Sequence, residues 1–213
     1  MKKTLALVLI MALMAAAAGS ACAETLDFEA GTPSGVTPEE FKTYFTILEE
    51  DSGYNFIWED DIGTDNAYSV YKGASEDGMM TMNIYAADGG VVYAEGVGNL
   101  VIDINDADSA VKFGEWFGAS ISGMAFSFQI GDHGTESLDD DTLSKFNDDL
   151  MKLVNEISEG VADVKRLSDG FAVSSPVLGY PIGLEAQGGV SGSTVNITMR
   201  ILAFSADGKL TVR

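Results

Sequence analysis

Apolar residues fall at helical spacing in two stretches of the chain and alternate with polar ones in several others. In the first helical stretch, Phe41, Tyr44, Phe45 and Leu48 stand three and four positions apart, the spacing of one helix face. Thr37-Pro38-Glu39-Glu40 precedes it: Thr37 suits an N-cap, Pro38 the first turn, and Glu40 the acid of a capping box. Gly53 is placed to close this helix. The second stretch runs from Leu138 to Glu159, with Leu143, Phe146, Leu150, Leu153 and Ile157 on one seam. Ser137 and Asp140 are placed to form its capping box, and Gly160 to end it. Between the two, residues 108–128 are apolar on most sides and carry Gly114, Ala119, Ser120, Gly123 and Ala125. Small residues permit close approach, so this segment is expected to be a buried central helix.

The remaining pattern is that of strands. Expected strands cover 54–58, 67–72, 80–85 and 91–104, then 162–167, 171–177, 182–187 and 194–204. Alternation is clearest in Met80, Met82 and Ile84 against Thr81, Asn83 and Tyr85, and in Val195, Ile197, Met199 and Ile201. Gly96-Val97-Gly98 reads as a bulge or bend in the longest run. Turn residues at 63–66, 76–78 and 88–90 leave only tight connections, which implies antiparallel pairing. The expected fold class is therefore α+β: an antiparallel sheet packed against helices.

The two halves share short matches in the same order. Thr37, Phe41, Phe45 and Leu48 correspond to Thr142, Phe146, Leu150 and Leu153; Thr81-Met82-Asn83-Ile84 recurs as Thr198-Met199-Arg200-Ile201; and Ala87-Asp88-Gly89 recurs as Ala206-Asp207-Gly208. Two helix-plus-four-strand pseudo-repeats are expected, about 37–104 and 137–213, with the central helix between them in one domain spanning 37–213. Residues 24–36 contain Gly31, Pro33 and Gly35 and read as a leader strand or a flexible tether.

The first residues follow a different pattern. Lys2-Lys3, the uncharged run from Leu5 to Ala18 and the small residues from Gly19 to Ala23 have the order of a secretory signal peptide, expected over 1–23. The apolar run is about 14 residues, short of the ~20 that span a bilayer as a helix. Ala21 and Ala23 occupy the −3 and −1 positions of a signal-peptidase site, giving a start at Glu24. Cys22 offers the alternative of lipoprotein processing, although the Leu usual three places upstream is missing. It is the one cysteine in the chain, so simple secretion leaves no disulfide, thiolate metal site or catalytic thiol. The localisation expected is secreted, extracellular or cell-surface, with lipid anchoring at Cys22 as the alternative.

Charge narrows the partners. The 213 residues hold 12 basic and 33 acidic side chains, a net charge of −21. Removing residues 1–23 takes away two lysines and no acid. A surface this acidic is repelled by nucleic acid and by anionic membranes, which need Lys/Arg clusters; the nearest such cluster is Lys165-Arg166.

Candidate chemistry is sparse. His133, in Gly131-Asp132-His133-Gly134, is the one histidine, and its glycine-flanked setting is that of an exposed turn rather than a catalytic base. Asp139-Asp140-Asp141 suits the positive end of a helix dipole. Asp60, Asp61 and Asp65, with Glu59 and Asn66, offer hard oxygens for calcium but do not match the EF-hand pattern. No phosphate-binding or dinucleotide loop is present, and no cofactor is expected. Trp58, Tyr68, Tyr71, Tyr85 and Tyr93 lie on expected strands, where outward-facing rings could stack on sugars or hold a peptide.

The signal peptide, the Thr-Pro-Glu-Glu-Phe helix start and the Asp-Gly hairpins resemble those of uncharacterised exported proteins of Gram-positive gut bacteria. The order of helix and four strands, taken twice, is similar in outline to the β-lactamase-inhibitor-protein fold, without that family's disulfides. The reading that follows is a non-enzymatic binding or interaction protein with a protein or glycan partner. A carboxylate-dependent hydrolase of envelope or dietary polymers and a calcium-binding structural module are the alternatives.

Overall fold

The computed structural model describes residues 26–51, 55–103, 105–162 and 170–212. The processing residues Ala21, Cys22 and Ala23 lie outside the described residues, as does the strand expected over 162–167 apart from Ala162, which ends a helix instead. The described elements are β1 (Leu26–Glu29), α1 (Pro38–Asp51), β2 (Phe56–Trp58), β3 (Gly63–Asp65), β4 (Tyr68–Ser75), β5 (Met80–Ala87), β6 (Gly90–Asp103), α2 (Ala107–His133), a 3-10 turn (Thr135–Ser137), α3 (Asp140–Ala162), β7 (Gly170–Val177), β8 (Tyr180–Ser191), β9 (Thr194–Phe204) and β10 (Lys209–Val212).

An eight-stranded antiparallel sheet in the order β2-β4-β5-β6-β9-β8-β7, with β3 beside β4, forms one layer. The fold is α+β. Alternation sorts each strand between the two faces of this sheet. Met80, Met82, Ile84, Ala94, Leu100, Ile182, Leu184, Ile197, Met199 and Ile201 point to one face and are buried under the helices. The same core takes Phe41 and Phe45 from α1, Trp116, Phe117, Ile121, Met124 and Phe128 from α2, and Phe146, Leu150 and Leu153 from α3. α2 is the inner helix: from Trp116 to Ile130 most of its residues are buried, and α1 packs along it.

The start of α1 follows its sequence signature. Glu40 N–H donates to Thr37 Oγ1 at 3.3 Å, and Glu40 Oε2 accepts from the Thr37 amide at 3.0 Å and from its hydroxyl at 2.8 Å. These bonds hold the Glu40 carboxyl below its ordinary pKa. A depressed folded value stabilises above the unfolded pKa, about 4.3, and that contribution is lost as pH falls through the folded value. Thr37→Ala is therefore expected to cost about 1 kcal/mol at pH 7. Urea unfolding at pH 3 should find a smaller loss; equal losses at both pH values would show that the ionised Glu40 contributes nothing.

Two expectations are corrected, and a choice between two is decided. The cap of α3 is Asp139, whose Oδ1 accepts from Thr142 N–H at 2.8 Å, while the Ser137 hydroxyl donates back to Gly134 O at 2.6 Å. β6 runs unbroken through Gly96-Val97-Gly98, paired on both sides; the register shift lies instead opposite Tyr85/Ala86. Of the two readings of the leader, residues 26–36 follow the strand rather than the free tether. β1 pairs antiparallel with β10, Thr32 bonds Asp207 through its amide and its hydroxyl, Ser34 bonds Val91 O, Gly35 N–H reaches Asp132 at 2.7 Å, and Val36 is fully buried.

The two halves enter the sheet from opposite edges. β2, β4 and β5 run inward from one edge of the sheet, and β7, β8 and β9 run inward from the other. β5 and β9 are both antiparallel to β6 and so parallel to each other. The leading helix of each half packs into the core on the same face. β6 and β9 are antiparallel neighbours at the middle of the sheet, so β4-β5-β6 and β7-β8-β9 stand in the order and directions that a two-fold axis normal to the sheet gives. β10 leaves the sheet to pair with β1.

Candidate binding face

The sheet face opposite the helices is divided in two. Over one half lies the β1–β10 ribbon. Leu26 packs there with Val92, Tyr93, Leu202 and Phe204 as a second small core. Phe28 lies 5.4 Å from Tyr93 and 5.1 Å from Phe204, ring to ring. Tyr85 stacks on Tyr93 at 4.1 Å, and Tyr68 meets both edge-on. Burial, and then the nearby Glu95 carboxylate, push the Tyr85 phenol up to about 12, and burial raises Tyr93 further. Both stay neutral across the ordinary pH range.

The five aromatics marked in the sequence therefore part company. Tyr68, Tyr85 and Tyr93 serve the ribbon. Trp58 and Tyr71 pack on the helix side, where the Trp58 indole N–H donates to Thr46 Oγ1 at 2.9 Å and Lys42 Nζ sits 5.3 Å from the Tyr71 ring centre.

At the boundary between the halves stands Arg200. Its Nε–H donates to Glu95 and its Nη1 to Glu185 at 3.1 Å. Burial opposes the guanidinium charge, but the two carboxylates outweigh it and raise its pKa. Glu95 also accepts from Tyr85 Oη at 3.2 Å and Asn83 Nδ2 at 3.3 Å, and Glu185 accepts from the Leu26 amide at 2.6 Å. The network fastens the first residue of β1 to the middle of the sheet.

Beyond Arg200 the face is exposed. Asn99, Val101, Gln187, Asn196 and Thr198 line a shallow groove of about 480 Å³. Thr198 Oγ1 donates to Asn99 Oδ1 at 2.9 Å, which orients the Asn99 amide so that its Nδ2 remains to donate outward. Val101 is 65% exposed. No acidic or basic side chain lines the groove.

The other marked residues lie elsewhere. Glu59, Asp60 and Asp61 are exposed between β2 and β3, and Asp65 is exposed at the end of β3, where its Oδ1 accepts from Asn66 Nδ2. Among the described residues no three His, Cys, Asp or Glu side chains come together to hold a metal ion. His133 is exposed at the last turn of α2. Its neighbour Asp132 is engaged by Gly35 N–H and, at 3.0 Å, by Tyr180 Oη, so it does not serve as a partner orienting the imidazole. No helix among the described residues is long and apolar enough to cross a membrane.

Sequence reasoning missed the groove residues. The signal was present as the polar complement of a noted pattern: Asn196, Thr198 and Arg200 alternate with the apolar Val195, Ile197, Met199 and Ile201. Polar positions on a half-buried strand are normally mere solvent contacts, so nothing in the spacing set them apart. Comparison with known protein families, curated proteins and solved structures finds no match for this chain.

Proposed function

We propose that this chain is an exported, non-enzymatic binding protein of the cell surface or extracellular space, and that it binds through the exposed half of its sheet. The carrying observation is the uncharged groove of Asn99, Gln187, Asn196 and Thr198 on a chain of net charge −21. An acidic coat keeps such a chain soluble and apart from its copies. A neutral patch built on rigid strands escapes that repulsion and offers donors and acceptors at fixed positions. The Lys2-Lys3 start, the apolar run from Leu5 to Ala18 and Ala21-Cys22-Ala23 support export, by signal peptidase or by lipidation at Cys22.

A photo-crosslinker on Val101→Cys, in the chain expressed with its own leader in a host envelope, tests the binding face. Asp148→Cys on the exposed side of α3 serves as the control site. The expected result is a macromolecular adduct at position 101 and none at 148. Adducts at both sites alike, or at neither, would overturn the reading.

A further inference from the structure

We infer that the occupant of the groove is an uncharged polysaccharide, bound across β6, β9 and β8; this rests on the binding role proposed above and names its ligand class. Three observations carry it. The first is chemical. Side-chain amides and a hydroxyl line the groove, and each is both donor and acceptor without charge, which matches the hydroxyl groups of a neutral sugar. The exposed Val101 adds an apolar surface for the C–H face of a ring.

The second is preorganisation. Asn99 and Thr198 stand opposite each other in the β6–β9 register and are joined by their 2.9 Å hydrogen bond. Gln187 stands opposite Thr198 in the β8–β9 register, so the three form one row across neighbouring strands. Strands lie about 4.8 Å apart, so such a row presents polar groups at regular intervals to an extended, repeating chain. Little side-chain entropy remains for the bound sugar to freeze out.

The third is electrostatic. The net charge of −21 surrounds a groove with no acid among its lining residues, and the carboxylates of Glu95 and Glu185 on the Arg200 side are paired with that guanidinium. A polyanion such as a uronic-acid or phosphate-bearing polymer is repelled by the surround and finds no cation in the groove. A neutral polymer meets neither penalty.

The experiment titrates the chain with cello-, xylo-, manno- and malto-hexaose and with polygalacturonate, at low and at physiological salt. Backbone amide resonances of residues 99, 187, 196 and 198 are followed by NMR. At least one neutral hexaose is expected to shift these resonances saturably, with polygalacturonate binding at least tenfold more weakly at low salt. Asn99→Ala and Thr198→Val should each weaken the neutral ligand at least fivefold while leaving the thermal midpoint within a few degrees. Silence from every neutral probe, or equal binding of the polyanion, overturns the inference. A protein adduct at Val101→Cys together with silent sugars would overturn it while leaving the binding role intact; no adduct at that position would remove both.

Discussion

A chain lacking residues 24–36 is expected to show no cooperative unfolding transition at all. Val36 is fully buried in the main core and Leu26 is 6% exposed in the smaller one, each contributing about 1.5–3 kcal/mol by burial. Deleting the segment also strips β10 of its only strand partner in the ribbon and leaves the Glu185 carboxylate without the Leu26 amide. The Thr32–Asp207 and Gly35–Asp132 bonds go too, and Phe204, Tyr93 and Leu202 lose their cover. Summed, the loss matches the ~5–15 kcal/mol that holds a typical domain together. A point variant separates packing from chain length. A Cβ on Gly131 would stand 2.1 Å from Val36 Cβ, so Gly131→Val should drive the segment off its seat without shortening the chain. Circular dichroism melts check both. A truncated chain that still melts cooperatively near the parent midpoint would restore the tether reading.

These contacts also bear on the two proposed processing routes. Leu26 follows Cys22 by four residues, a reach of at most ~14 Å. Cleavage after Ala23 would leave two residues ahead of β1. A lipid on Cys22 would hold the start of β1 within that reach of the bilayer.

How far the sequence could be read depended on how local each cause is. The capping box of α1, the middle of the α3 seam and the alternation in β5 and β9 are set by residues within a few positions of one another, and the structure places them as their spacing implies, except that Leu143 at the start of the seam is exposed. The extent of β6 was legible for the same reason, but not its unbroken course through Gly96 and Gly98. What was not legible depends on distant partners. Leu26–Glu29 settles as a strand because Lys209–Val212 lies beside it, so its sequence left strand and tether both open and the strand at Lys209–Val212 went unmarked. Which strands of the two halves meet at the middle of the sheet was equally hidden, since repeated helix and hairpin motifs do not specify which sheet edge each half starts from. The groove belongs to the same class. Asn99, Thr198 and Gln187 meet only through the pairing of three strands, and Arg200 finds Glu95 and Glu185 by the same route.

The glycines of β6 give the second large effect. In sequence, Gly96 and Gly98 resemble a bulge; in the fold they are flat strand positions that make room for the helix above. A Cβ on Gly98 would stand 2.3 Å from Trp116 Cζ2 and 2.6 Å from Cη2. That ring is 1% exposed, so it has no free space to turn into. A Cβ on Gly96 would instead meet the terminal methyls of Met80 and Met124, both at 2.8 Å. Those are the far ends of flexible side chains and can swing aside. Glycine in a strand also carries an entropic penalty relative to alanine, which offsets part of any overpacking cost. Gly98→Ala is therefore expected to lose about 2–3 kcal/mol. For a chain of this size that lowers the melting midpoint by about 5–10 °C. Gly96→Ala should stay within about 1 kcal/mol of the parent. Urea unfolding measures the difference, and near-ultraviolet circular dichroism reports whether the Trp116 ring has moved. If the two variants prove equally stable, Trp116 is not what requires glycine at position 98, and the close approach of α2 to β6 does not set the packing there.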